Sequence, residues 1–195
     1  MKFTKILGVV AVAALALMAF ASTASATRLE VNGVAKTTED VTLEATLKSG
    51  TSALLTDTFN AFANTCTVST VKGTDSTSTG GTGVAVSGPV SELSWSSCTE
   101  GNPTVDAKGS LTVENVAGTT NGTVKSLNAK VTVPSALGPL TCTTPATGGT
   151  DLGTLKGVAS GNASLKVEAV LSCGITAKWT GEYVVTSPTG LGVTA

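Results

Sequence analysis

The stretch Ala163-Ser-Leu-Lys-Val-Glu-Ala-Val-Leu-Ser-Cys-Gly-Ile-Thr-Ala-Lys-Trp-Thr-Gly-Glu-Tyr-Val-Val185 decides the fold class. Ala163, Leu165, Val167, Ala169, Leu171 and Cys173 hold the odd positions against the mainly polar Ser164, Lys166, Glu168 and Ser172. The odd series resumes through Ile175, Ala177, Trp179, Gly181, Tyr183 and Val185. Successive side chains of a strand point to opposite faces, so this period of two predicts two long strands, each with one buried face, meeting around Cys173-Gly174.

Working outward, Val41, Leu43, Ala45 and Leu47 alternate with Thr42, Glu44, Thr46 and Lys48 in the same way. Weaker strands are expected at 29–35, 52–59, 65–71, 84–97, 110–117, 123–133 and 152–158, with Gly, Pro, Asn and Ser clusters between them. Thr, Val, Gly, Ser and Ala dominate the composition and the long helix-forming residues are sparse, so no amphipathic helix is expected. The expected fold is all-β: a two-sheet β-sandwich or a flattened barrel of mainly antiparallel strands. Gly73 to Gly83, nearly devoid of apolar side chains, reads as a mobile hairpin loop, and Thr143 to Gly149 reads similarly.

Lys2 and Lys5 precede an apolar run from Ile6 to Ala21, followed by Ala24-Ser-Ala26. Basic flank, short apolar run and small-x-small ending together read as a secretory signal peptide over residues 1–26. The run is shorter than the ~20 apolar residues of a membrane span, and no Cys follows it to carry a lipid. No second apolar stretch or sorting signal is expected near the C-terminus, so no integral membrane segment should remain after cleavage. Residues 27–195 are then a single all-β domain, secreted or envelope-associated. Of its 12 basic residues the chain loses Lys2 and Lys5, leaving 10 against 13 acidic ones, a formal charge of −3. Single, scattered charges offer no basic face, so nucleic acid is not an expected partner. Cell-envelope components or an extracellular polymer are.

Cys66, Cys98, Cys142 and Cys173 all lie in the exported part, and an even number in an oxidising compartment predicts two disulfides. Of the three pairings, Cys66 with Cys98 and Cys142 with Cys173 is favoured, because the two spans are similar and each would tie neighbouring strands. Zinc is disfavoured: Cys-x-x-Cys spacing is absent and there is no histidine. Thr65-Cys-Thr67 recurs as Thr141-Cys-Thr143, and Ser87-Gly88 as Ser160-Gly161, which fits either two related halves or chance in a Thr-rich chain.

The absence of histidine removes Ser-His-Asp and Cys-His triads and any histidine base. Ser69-Thr-Val-Lys72 matches Ser-x-x-Lys, but it stands alone, in a strand-like segment. Glu92, Glu100, Asp106, Glu114, Asp151, Glu168 and Glu182 could in principle form a hydrolytic pair, yet no local pattern singles any of them out and a solvated surface is the expectation. Asp57, Asp75, Asp106 and Asp151 form no calcium loop. Neither catalytic residue, metal nor cofactor is therefore expected. Trp95 and Trp179 follow the apolar parity of their strands and should pack in the core near the disulfides. Phe59 and Phe62 are expected to form a small apolar knob.

Cys98-Thr-Glu-Gly-Asn-Pro-Thr-Val-Asp106, Gly109-Ser-Leu111, Ala117-Gly-Thr-Thr-Asn-Gly-Thr-Val124, Gly153-Thr-Leu-Lys-Gly-Val-Ala-Ser-Gly161, Ala177-Lys-Trp-Thr-Gly-Glu-Tyr183 and Thr186-Ser-Pro-Thr-Gly-Leu191 resemble small exported β-rich proteins present in many copies in high-GC Gram-positive bacteria. That resemblance covers about residues 60–195 and implies an exported β-fold rather than a reaction. In signal peptide, size, cysteines and Thr/Gly-rich strands the chain is also similar to secreted activators of alkane oxidation; no residue's role carries over. Expected functions are a non-catalytic envelope or matrix protein with a structural or adhesive role, or an extracellular binding module for a glycan or apolar small molecule. The second requires an apolar concavity or exposed aromatics.

Overall fold

A computed structural model describes residues 27–36, 41–59, 61–75, 85–136 and 138–195. The expected signal peptide, residues 1–26, and most of the expected Gly73–Gly83 loop lie outside them; Gly73 and Thr74 belong to a strand. The strands are β1 (Arg28–Val31), β2 (Val34–Ala35), β3 (Thr42–Leu47), β4 (Ala53–Asp57), β5 (Ala63–Thr74), β6 (Val86–Cys98), β7 (Thr104–Ala107), β8 (Ser110–Asn115), β9 (Gly122–Leu127), β10 (Lys130–Val133), β11 (Leu140–Thr143), β12 (Thr150–Lys156), β13 (Ser164–Ser172), β14 (Thr176–Ser187) and β15 (Leu191–Thr194). No helix occurs among the described residues.

Eight strand positions close into an antiparallel barrel. β3 and β4 lie end to end as one position, since the first half of β14 pairs with β4 and the second half with β3, and β5 does likewise. From there the order runs β5, β6, β8, β9, β12, β13, β14 and back to β3 and β4. Of the two architectures expected, the barrel is the one formed, and closure pairs both edges of these strands apart from the far part of β6. The stretch 163–185 supplies β13 and β14, paired from Ser164↔Val184 to Ser172↔Thr176.

Two additions cover the ends. Where the β8–β9 and β12–β13 turns lie, β1 pairs with β15 and β2, bringing Leu29, Leu191 and Val193 into the main core. At the other end, β7, β10 and β11 extend from the lower part of β13, and Val133, Cys142, Cys173, Phe62, Leu55 and Ala177 form a second core cluster. β7, β11 and β15 were not expected from sequence. Two expected strands are each split by a turn at an asparagine with positive φ: 29–35 at Asn32-Gly33 (52° and 76°) and 123–133 at Asn128 (55°).

Charged residues of β13 and β14 lie outside, with Lys166–Glu168 at 2.9 Å and Lys48–Glu182 at 2.7 Å, while their apolar set faces in. That polarity is the reverse of a membrane-spanning barrel, whose apolar band faces lipid. Among the described residues no helix is long and apolar enough to cross a membrane.

Candidate functional site: an apolar lumen

Eight strands leave an interior just wide enough for side chains to fill or for one small ligand. Here small residues point inward: Ala45, Ala53, Gly73, Gly88 and Gly181 all stand on or beside the inner wall. A cavity of about 200 Å³ results. Leu43, Val71, Val86, Leu111, Val113, Val124, Leu152, Leu155, Leu165, Val167 and Val185 line it.

Both tryptophans line it too, half-buried. Trp95 and Trp179 meet edge to face with centroids 5.7 Å apart, and Trp179 meets Tyr183 in the same manner at 6.3 Å. Their expected place in a filled core is thus refined: they form an aromatic wall along open space. Tyr183, 1% exposed, donates its hydroxyl to Ser69 Oγ at 3.0 Å. Burial pushes its phenol above the ordinary range, against hydrogen bonds with Ser69 and Trp95 that pull it down.

Two buried polar side chains of the lining, Asn64 and Ser126, are paired with protein groups. Asn64 Nδ2 donates to the carbonyls of Gly101 and Pro134, and its Oδ1 accepts from the Glu100 amide. Ser126 and Thr144 hydroxyls share a hydrogen bond at 3.4 Å. Lumen surface is therefore almost wholly carbon.

One seam of the barrel parts. β6 pairs with β8 only from Val86 to Pro89, whereas its pairing with β5 runs on to Cys98. From Ser91 onward the β8-facing edge of β6 carries no ladder, and Lys108 Nζ bridges the start of the gap to Ser91 O at 2.6 Å. Leu93 and Trp95, on the unpaired stretch of β6 that forms this slit, line the lumen, as do Pro103, Ala129 and Val131.

Comparison of the chain with family models, curated proteins and solved structures finds no match. What the site does must be read from its own chemistry.

Both disulfides form in the favoured pairing. Cys66–Cys98 joins β5 to β6 with Cα atoms 4.0 Å apart, and Cys142–Cys173 ties β11 to the chain just after β13 with Cα atoms 3.9 Å apart. Ser69 and Lys72 do not come together: Ser69 is inside, and Lys72 lies outside with Glu92 at 3.2 Å and Glu44 at 3.6 Å, which raise its pKa, the Glu92 hydrogen bond most. Three residues apart on a strand, they face opposite ways.

The carboxylates disperse. Glu114 pairs with Lys125 at 3.8 Å, and Glu168 with Lys166, whose hydrogen bond and charge lower its pKa. Asp106 accepts from Thr132 at 2.9 Å. Glu100 and Asp151 are exposed, and Asp75 is buried at the end of β5. Asp57 caps its own turn, accepting the amides of Phe59 and Phe62. No group of three metal-ligating side chains occurs among the described residues.

The expected Phe59–Phe62 knob does not form. Phe62 is buried under β10 and β11, while Phe59 is 88% exposed; the Asp57-capped turn sends the two rings opposite ways. Alternation predicts which side chains face inward, but not that they are too small to meet in the middle. Lys108 carried no sequence signal at all.

Proposed function

We propose that this is an exported, non-catalytic protein that holds an apolar small molecule inside its barrel. The observation that carries the reading is the carbon-lined lumen of about 200 Å³ with an aromatic wall and a lateral slit. An empty cavity costs roughly 24 cal/mol per Å³, so filling this one is worth about 5 kcal/mol, corresponding to a Kd of a few hundred micromolar before any further contact. A glycan would leave its hydroxyls unpaired against carbon, so the apolar half of the expected binding class is favoured. Two disulfides and the basic–apolar–Ala-x-Ala leader support export.

Trp95 and Trp179 are the chain's two tryptophans, so intrinsic fluorescence reports on the lumen directly. Titration with octane-saturated buffer and with 1-octanol should shift the emission and raise Tm. Unchanged spectra and Tm with both ligands sink the proposal.

A structural or adhesive envelope role is the second reading. It is favoured by exposed Phe59 and Ile175, which flank the Asp57↔Ala177 end of the β4–β14 ladder and offer apolar contact at one rim. Fractionation of producing cells tests it: retention on the washed envelope, lost in Phe59→Ser, supports adhesion, and free protein in the medium argues against it.

A further inference from the structure

We propose that the ligand is a medium-chain monocarboxylate, its carboxylate on Lys108 at the slit and its alkyl chain in the lumen along Trp95 and Trp179. This rests on the apolar-ligand reading and adds the head group.

The interior offers an anionic head no side-chain donor, and the buried Asp75 on the lining would repel it. Tyr183 and Ser69 satisfy one another, Asn64 is held by Gly101, Pro134 and Glu100, and Ser126 by Thr144. A ligand with one polar end must leave that end at the mouth, because burying it unpaired is costly. The mouth carries the matching charge. Among the described residues Lys108 is the only basic one on the lining, and it is exposed. Its ammonium has three donors, of which Ser91 O takes one. No ion pair to Lys108 occurs among the described residues.

The two acids on the lining among the described residues do not compete. Glu44 is paired with Lys72, and Asp75 follows the end of β5, two strands away from the residue that leads into β8. A carboxylate reaching Lys108 would make a charge-assisted hydrogen bond. Chain length follows from volume: a cavity of about 150 Å³ accepts benzene, so about 200 Å³ takes about eight carbon atoms.

The test compares octanoate with 1-octanol by tryptophan fluorescence and calorimetry at pH 7, on the wild type and on Lys108→Met and Lys108→Arg. Octanoate should bind about tenfold tighter than 1-octanol. Lys108→Met should erase that preference while keeping 1-octanol binding and Tm, and Lys108→Arg should retain most of it. Equal binding of the two ligands, or a preference that survives Lys108→Met, overturns the head-group assignment and leaves the apolar reading standing. If neither ligand binds, both fall.

Discussion

Tyr183 on β14 reaches over the β3–β4 position to donate its hydroxyl to Ser69 on β5, a 3.0 Å bond inside the barrel. Ser69 in turn faces Trp95 across the β5–β6 ladder. One row of side chains thus fixes three barrel positions beside the lumen. Tyr183→Phe removes the donor but keeps the ring, and should cost about 1–2 kcal/mol in urea unfolding. A loss near zero would show that the bond is not formed.

The same burial predicts alkaline behaviour. Tyr183 has its pKa raised above the ordinary 10.0, so the native state holds the phenolic proton where the unfolded chain has released it. Stability from this group is complete below pH 10 and falls as pH rises through the folded pKa. Absorbance at 295 nm should show no tyrosinate until well above pH 10, with ionisation and unfolding coming together. Tyr183 is the chain's one tyrosine, so the signal has a single source.

Each disulfide closes a loop of some thirty residues, separations 32 and 31. On the chain-entropy model each contributes about 3–4 kcal/mol. Replacing either pair by alanine should therefore lower stability by similar amounts. The lumen should respond differently: loss of Cys142–Cys173 frees β11 from β13 and loosens the second core cluster, so tryptophan emission should shift most in that variant. Peptide mapping of the native protein should find no free thiol.

Gly153 interrupts the β9–β12 register, where the pairing shifts between Asp151 and Gly153, with φ of +142°. A Cβ there would collide with the backbone oxygen of Lys166 on β13. Gly161 has φ of +79° with open space around it. Gly161→Ala should cost about 1 kcal/mol from φ alone. Gly153→Ala should cost several times that, because backbone must move as well as φ. Equal costs by thermal unfolding would mean that the barrel wall yields at this bulge.

Much of the wall was legible because its strands carry a period of two: Leu165, Val167 and Ala169 announce an inner face without any tertiary information. The pairing of Cys66 with Cys98 was legible for a related reason, since neighbouring strands across one loop bring their cysteines together. What stayed hidden depends on distance across the barrel. Ala45 reads as a core residue, and only closure shows that some inner walls lie too far apart to touch. β15 was missed because Leu191-Gly-Val-Thr194 is short and holds one glycine. Its strand character comes from pairing with β1, a partner at the opposite end of the chain. Lys108 became notable only through the stretch of β6 left unpaired beside it.

The pairing of Arg28 with Thr194 sets a schedule for assembly. A ribosome delivers β1 about 160 residues before β15, so the strand that seals one mouth of the barrel waits through all the intervening synthesis for its partner. Every earlier intermediate presents a bare hydrocarbon throat. Chains stalled before Leu191 would share that defect, and so would a protein clipped after Gly190, which makes four-residue β15 the latch of the whole vessel.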